Sequence, residues 1–472
     1  MLLNALNVMG NCRFLRQKKQ VKINGEWVDT RSFRYLPLCD ESHSIVSIRG
    51  GLTNHIYNVG LVGGENAQIE TSNTGSGSIE IAPTAIISGV ADSDTSIGRP
   101  LTDAVQIYNC KIKSLQLTRT KKLKIYCSSL LDGEHIPNYG YGGNFGGSTF
   151  SEIYLEPSAV SNLTTMQWMF SSCGNLTSLD VSNFNTSNVT DMHEMFSLCG
   201  NLTSLDVSNW NTANVTTMDS MFYACRNLTS LDVSNWDTSN VTTMQYMFVL
   251  CENLTSLDVS NWDTSNVTDM TQMFDSCGNL TSLDVSNWDT SKIRHMYGIF
   301  NGCSKLKSID VSNWDTSNCI SMWSMFQGCS SLTSLDLSNF TISWGNVIDS
   351  MFSGCSSLKS LNVSGWDITN TSGIDNMFNG CSSLVSLDLS SWDTSNIMYM
   401  DYMFRNCYSL VSLDLSGWDM PKVSYRYMED MFKNCFSLKT IRMIGCNQTT
   451  IDKIKYALSS SKIPSNQVTI IT

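Results

Sequence analysis

Charge is scarce in this chain. Asp, Glu, Lys and Arg together make up 15% of it, against about a quarter in an ordinary soluble domain, so uncharged Ser, Thr and Asn must cover much of the surface. Positive charge is in deficit, with 30 Lys and Arg against 42 Asp and Glu and a formal net charge of −12. A phosphate backbone needs a basic face, which excludes nucleic acid as a partner. Histidine is nearly absent: His43, His55, His135, His193 and His295 are the five, and none sits in a metalloprotease, nucleophile-elbow or phosphate-loop motif. The chain therefore reads as non-enzymatic. No apolar run approaches the roughly 18 residues that a membrane-spanning helix needs, so no membrane insertion is expected. Between Met1 and Gln20 the basic residues follow the short apolar stretch instead of preceding it, so no ordinary signal peptide is expected either.

Cysteine is plentiful, with 17 residues, but it lacks the Cys-x-x-Cys clusters of zinc sites. Instead Cys173, Cys199, Cys225, Cys251, Cys277, Cys303, Cys329, Cys355, Cys381 and Cys407 recur every 26 residues, and Cys435 follows after 28. A fixed period of this size marks a leucine-rich-type solenoid. A chain of 472 residues also exceeds what one compact core supports. The cysteines are expected as buried free thiols, each behaving as a small hydrophobe.

The copy from Leu254 to Asn279 carries two hydrophobic periods in succession. Leu257 and Val259 alternate with Ser256, Asp258 and Ser260, the pattern of a short strand with one face inward. Met270, Met273, Phe274 and Cys277 then fall at i, i+3, i+4 and i+7, which predicts a short helix with Asn266 as N-cap and Asp269 as its third residue. Stacking turns inward positions into columns. Trp210, Trp236, Trp262, Trp288, Trp314, Trp366, Trp392 and Trp418 should form one, with Phe184 and Phe340 standing in. The register continues past the clear copies: Ile441 and Met443 match the strand, Cys446 the Trp, and Ile451, Ile454, Ala457 and Leu458 the helix, with a last strand expected over Gln467 to Ile471.

Residues 1–138 lack this period. Strand-like runs at Val21 to Val28 (with a turn at Asn24-Gly25), Ser78 to Ile81, Ala104 to Tyr108, Ser114 to Leu117 and Leu123 to Cys127 read as a small β-rich attachment domain. Residues 139–148 are Gly-rich and read as a linker. Residues 149–472 read as the solenoid with terminal caps. The expected fold class is thus an α/β solenoid of 26-residue leucine-rich-type repeats, a parallel β-sheet plus short helices, preceded by a small β-rich N-terminal domain.

The repeated run that includes Leu257, Asp258, Val259, Trp262, Val267, Met270, Met273 and Phe274 resembles the BspA-like leucine-rich repeat family of microbial surface proteins. The resemblance implies an exposed protein used for adhesion to host matrix, cells or neighbouring microbes. With no signal peptide in view, the expected setting is the surface of a virion, where the chain serves as a phage receptor-binding or decoration protein. A microbial surface adhesin at the cell exterior is the alternative, and a purely structural spacer of a particle is the rival from another class. Expected partners are a host or cell-surface protein or glycan, and other virion proteins through the N-terminal domain.

Two sets of outward residues are candidates for ligand contact. On the strand face, Asp180, Asp206, Asp232, Asp258, Asp284, Asp310, Asp336, Asp388 and Asp414 share one column, with Asn362 in the same place and Arg442 at its end. Carboxylates at strand spacing repel by about 0.9 kcal/mol in water, so an open hydrated lattice of Ser and Asp or a bound cation such as calcium must offset them. On the helix face, Tyr246, Tyr297, Trp323, Tyr399 and Tyr402 are irregularly placed, as expected if single copies are tuned to a ligand such as a glycan. A second acidic column, including Asp237, Asp263, Asp289 and Asp393, is expected to organise turns through side-chain to backbone bonds. The copies from Thr281 to Asn379 and the two-residue insertion within Pro421 to Tyr427 break the pattern most and are the first places to look for contacts.

Overall fold

The structure, a computed structural model, describes residues 145–147, 151–155, 157–342 and 348–472, together with the backbone of eleven strands between Gln20 and Leu130. Two compact units divide the chain, Met1–Leu231 and Asp232–Thr472.

In the first unit, Gln20–Ile23 and Glu26–Asp29 pair as an antiparallel hairpin across the Asn24-Gly25 turn, with Val21 opposite Val28. Parallel pairing begins well before the 26-residue copies. Val105–Tyr108, Lys122–Tyr126, Glu152–Leu155 and Ser178–Leu179 lie in one sheet in that spatial order. The strand expected from Ser114 instead runs Cys110–Ser114 and pairs in parallel with Ser129–Leu130. The Gly-rich stretch expected as a linker contributes Phe145 to the core: its ring stacks on Phe170 at 5.5 Å and its N–H donates to the Met169 carbonyl at 2.9 Å.

In the second unit the strand columns are short. Ser334–Asp336 pairs with Ser360–Asn362, and Ser386–Asp388, Ser412–Asp414, Thr440–Arg442 and Thr469–Ile471 form a four-stranded parallel sheet. Between Thr255 and Lys307 the same column persists with longer bonds, Thr281 N–H to the Thr255 carbonyl and Lys307 N–H to the Thr281 carbonyl, both 3.5 Å.

The half of each copy expected to be helical is a chain of tight turns. In the copy around Phe274, the N–H groups of Met273, Asp275 and Cys277 close local turns onto Met270, Gln272 and Phe274. Those of Met270, Gln272, Phe274 and Ser276 donate instead to His295, Tyr297, Ile299 and Asn301 of the next copy at 2.7–2.9 Å. Gln272 and Ser276 have φ of 50° and 61°, a left-handed conformation that no α-helix contains. The reason is spatial. Helices pack 8–10 Å apart, whereas parallel strands sit about 4.8 Å apart, so a ladder on both sides of each copy leaves no room for a helix in every turn. The inward spacing of Met270, Met273, Phe274 and Cys277 is nevertheless kept, and all four are buried. Asn266 is not an N-cap; its side-chain amide donates to the Ser239 carbonyl of the preceding copy at 2.8 Å. Among the described residues a true helix forms once in the repeat register, over Gln448–Ser460, where the Asn447 side chain accepts from Thr450 N–H and Ile451, Ile454, Ala457 and Leu458 are buried.

The interior is a set of ladders. In the first unit Phe184 stacks on Trp210 at 6.4 Å. In the second, the pairs Trp236–Trp262, Trp288–Trp314 and Trp366–Trp392 stack at 6.3, 6.1 and 5.9 Å, all within 4° of parallel. Indoles are also anchored in the copy before: Trp262 Nε1 donates to the Val233 carbonyl at 3.1 Å and Trp366 Nε1 to Leu337 at 2.8 Å, whereas the buried Trp392 Nε1 has no hydrogen-bond partner. Buried threonines do the same in the other direction, Thr264 Oγ1 donating to the Asp289 carbonyl at 2.9 Å.

The cysteines among the described residues are free thiols, and they are more than filler. Cys277 Sγ donates to the Phe248 carbonyl at 3.0 Å, and Cys303, Cys329, Cys355, Cys381, Cys407 and Cys435 repeat the bond to the phenylalanine of the preceding copy at 3.0–3.2 Å. Burial pushes the Cys225 and Cys355 thiols up to about 12 and Cys319 up to about 11. Alkylation requires the thiolate and access. Iodoacetamide at pH 8 should therefore modify Cys446, the only partly exposed thiol among the described residues, while the buried thiols from Cys173 to Cys435 react only in denaturant. Mass spectrometry of native digests checks this, and rapid labelling of Cys277 or Cys329 would contradict it.

Candidate functional site

The two exteriors differ. On the strand side, the Asp column is satisfied within each copy. Asp258 Oδ1 accepts from Ser260 N–H at 3.1 Å and from Ser260 Oγ at 2.7 Å, and Asp180, Asp206, Asp232, Asp284 and Asp310 make the same pair of bonds to the serine two residues on. Asp336, Asp388 and Asp414 keep the backbone bond to Ser338, Ser390 and Ser416 at 2.9–3.0 Å. Hydrogen bonds to Ser312 and Ser390 hold Asp310 and Asp388 below the usual carboxylate range. Arg442 sits opposite Asp414 in register and its Nε lies 3.6 Å from Asp414 Oδ2, closing the column. Among the described residues no three His, Cys, Asp or Glu side chains converge on a point that would hold a metal ion. The second acidic column organises turns as expected: Asp263, Asp289 and Asp393 accept from Ser265, Ser291 and Ser395 N–H at 2.9 Å.

On the turn side of the second unit, the structure brings the aromatic candidates into two groups. Tyr246 Oη and Tyr297 Oη are 3.2 Å apart, and Tyr297 stacks on Trp323 with centroids 5.3 Å apart. Tyr399 packs edge-on against Tyr427 at 4.8 Å, and the Arg405 guanidinium lies 5.1 Å from the Tyr402 ring. Trp323, Tyr399 and Tyr402 are among the exposed large side chains.

Beside the second group lies an open cleft of about 580 Å³ lined by Asp375, Asn376, Asp401, Tyr402, Arg426 and Tyr427. The insertion creates one wall. Two residues added between Val423 and Met428 replace the flat turn of other copies with a 3-10 turn over Tyr425–Met428, which places Arg426 over the Tyr427 ring at 4.2 Å. The floor is a carboxylate column: Asp375 N–H donates to Asp349 Oδ1 at 2.9 Å, and Asp401 N–H to Asp375 Oδ1 at 2.6 Å. Burial, reinforced by Asp349 and Asp401, pushes Asp375 up to about 6, and burial also raises Asp349 and Asp401.

This perturbation has a signed consequence for stability. The folded chain holds a proton on Asp375 that the unfolded chain has released between the ordinary carboxylate value near 4 and about 6, so stability falls as pH rises across that window. Asp375→Asn keeps the acceptor for Asp401 N–H and removes the charge. It should stabilise the protein by about 1 kcal/mol at pH 7.5, with screening at this half-buried site included, and the gain should vanish near pH 4. Denaturant titrations of both proteins at the two pH values check this, and an equal gain at both would refute it.

Asp375, Asp401, Arg426 and Tyr427 were not singled out as binding residues from the sequence, which pointed to the copies from Thr281 to Asn379, where Asp375 lies, and to the insertion, where Arg426 and Tyr427 lie. The available signal was the register: Asp349, Asp375 and Asp401 are 26 residues apart at a position that holds Thr271, Tyr297 and Trp323 in earlier copies.

A family model described as "Mycoplasma protein of unknown function, DUF285" matches residues 145–257, 201–282, 251–361, 278–387 and 346–467 in overlapping segments. No curated protein matches the chain. Similar solved structures include a leucine-rich repeat protein from Bacteroides ovatus ATCC 8483, with 18% identity over 66% of this chain and 88% of that one and a TM-score of 0.32. A leucine rich cell surface protein from Faecalibacterium prausnitzii A2-165 matches with 14% identity over 79% and 98% and a TM-score of 0.32. The functional domain of InlJ from Listeria monocytogenes, which includes a cysteine ladder, matches with 16% identity over 68% and 66% and a TM-score of 0.21.

Proposed function

Since the chain belongs to the family described as Mycoplasma protein of unknown function, DUF285, matched across residues 145–467, we propose that it is a non-catalytic recognition protein of a microbial cell surface that binds a partner on another cell. The observation that carries this is the contrast between its two exteriors. The strand side repeats one internally satisfied Ser and Asp unit, whereas the turn side of the second unit gathers exposed aromatics and an open cleft at the one insertion in the array. Exposed aromatic rings beside polar groups mark binding surfaces more than folding needs do. Repeated weak contacts along such a face add up to an avidity beyond any single site.

The adhesive role implied by the BspA-like resemblance is part of this proposal, with residues 1–138 as the attachment region. A family described from a cellular organism favours the cell surface over the virion as its setting. Purified full-length protein is to be incubated with a panel of intact epithelial and bacterial cells, with and without calcium. Retention that is independent of calcium and weakened by Tyr402→Ala is expected; retention by no cell type under either condition would leave a structural spacer as the better account.

A further inference from the structure

We propose that the turn-side cleft takes a neutral saccharide chain, with one unit seated against Tyr402 and Tyr427 and further units running toward Trp323. This deepens the recognition role above and rests on it. The cleft volume of about 580 Å³ suits a small ligand or the end of a chain. Its lining supplies donors and acceptors together: the carboxylates of Asp375 and Asp401, the amide of Asn376 and the guanidinium of Arg426. A hydroxyl both donates and accepts, so a polyhydroxylated ligand uses all four groups. An ammonium would leave the Arg426 donors unused, and a phosphate would face two carboxylates. Two tyrosine rings add the flat apolar faces against which sugar C–H surfaces pack.

The extension follows from the turn-side ladder. Gly298 N–H donates to Trp323, Ser324 to Asp349, Ser350 to Asp375 and Asn376 to Asp401, all at 2.8–2.9 Å. Trp323, Asp349, Asp375 and Asp401 therefore occupy successive rungs at the spacing of parallel strands, about 4.8 Å, which is close to the length of one pyranose unit. The Tyr297–Trp323 stack forms a second aromatic platform at the far end of this row.

The test is calorimetric titration of the full chain with maltotetraose, cellotetraose and chitotetraose, with spermidine and inorganic phosphate as charged comparisons. At least one tetrasaccharide should bind. Tyr427→Ala should weaken it at least tenfold, and Trp323→Ala should weaken the tetrasaccharide while leaving the matching disaccharide unchanged. Circular dichroism confirms that both variants remain folded. No binding of any tetrasaccharide, or binding indifferent to both substitutions, overturns the inference, as does binding of spermidine or phosphate alone.

A cell experiment separates this inference from the broader role. Metaperiodate cleaves vicinal diols, which internal 4-linked glucose units carry and 4-linked N-acetylglucosamine units lack, so metaperiodate, or chitinase where chitotetraose is the tetrasaccharide bound, should abolish retention of the protein by the target cells. Retention that survives both treatments and is lost after trypsin removes the saccharide and leaves recognition standing. Retention by no cell in any arm removes recognition itself.

Discussion

Trp262→Ala should lower the stability of the second unit by about 3–5 kcal/mol, the usual cost of emptying a buried aromatic site. The indole is 2% exposed, stacks on Trp236 at 6.3 Å and on Phe248 at 6.4 Å, and satisfies the Val233 carbonyl. Its loss removes two ring contacts and one buried hydrogen bond. Trp262→Phe should cost only about 1–2 kcal/mol, because it retains the ring and gives up chiefly the bond to Val233. Phe184 and Phe340 already fill this column at 5% and 1% exposure. Urea unfolding of the three proteins gives the comparison; a Trp262→Ala midpoint equal to that of the parent would show that the column contributes nothing.

The second large effect is expected at a position that looks harmless. Gly365 is exposed, yet a Cβ placed on it would sit 2.3 Å from the Ser338 carbonyl oxygen of the preceding copy. A carbonyl fixed in its own turn has no flexible end to swing away. Gly365→Ala should therefore cost about 1–3 kcal/mol as overpacking, through displacement of two adjacent copies. Gly417→Ala provides the comparison of the opposite kind: its Cβ would clear the nearest backbone oxygen at 3.5 Å, but its φ of 80° makes the cost conformational. Thermal unfolding of both variants resolves the two causes if Gly365→Asn is worse than Gly365→Ala while Gly417→Asn is milder than Gly417→Ala, since Asn tolerates a left-handed backbone and a bulkier side chain worsens a clash.

The solenoid, its 26-residue spacing and its inward columns were legible because they follow from side-chain polarity alone. Leu257, Val259, Trp262, Met270, Met273, Phe274 and Cys277 are buried as their periods require. The backbone that carries the second half was not legible. An i, i+3, i+4, i+7 pattern is satisfied equally by a helix and by successive four-residue turns, and only the rung spacing between copies decides. Left-handed Gln272 and Ser276 are unmarked in their own copy, since neither Gln nor Ser favours positive φ as Gly does; the mark lies in later copies, where the same columns hold Gly298 and Gly302, Gly328, Gly354 and Gly380, all at positive φ. The strand-face Asp column was legible as a row of like charges, but the local serine that hydrogen-bonds each carboxylate becomes evident only once Ser260 is seen to fold back on Asp258. The cleft depends on a 3-10 turn meeting two carboxylates from earlier copies, a coincidence in space that no linear pattern encodes.

Successive copies are so alike inside that any one of them offers its neighbour an equally good seat. The chain must therefore choose its frame during folding: a coil that skipped one copy would still find every interior slot filled, and locally it would pass for native. The aberrant members settle the ambiguity, since the lengthened loop at Pro421–Tyr427 and the close approach at Gly365 fit at one address only. The irregularities thus act as indexing marks for an otherwise degenerate assembly.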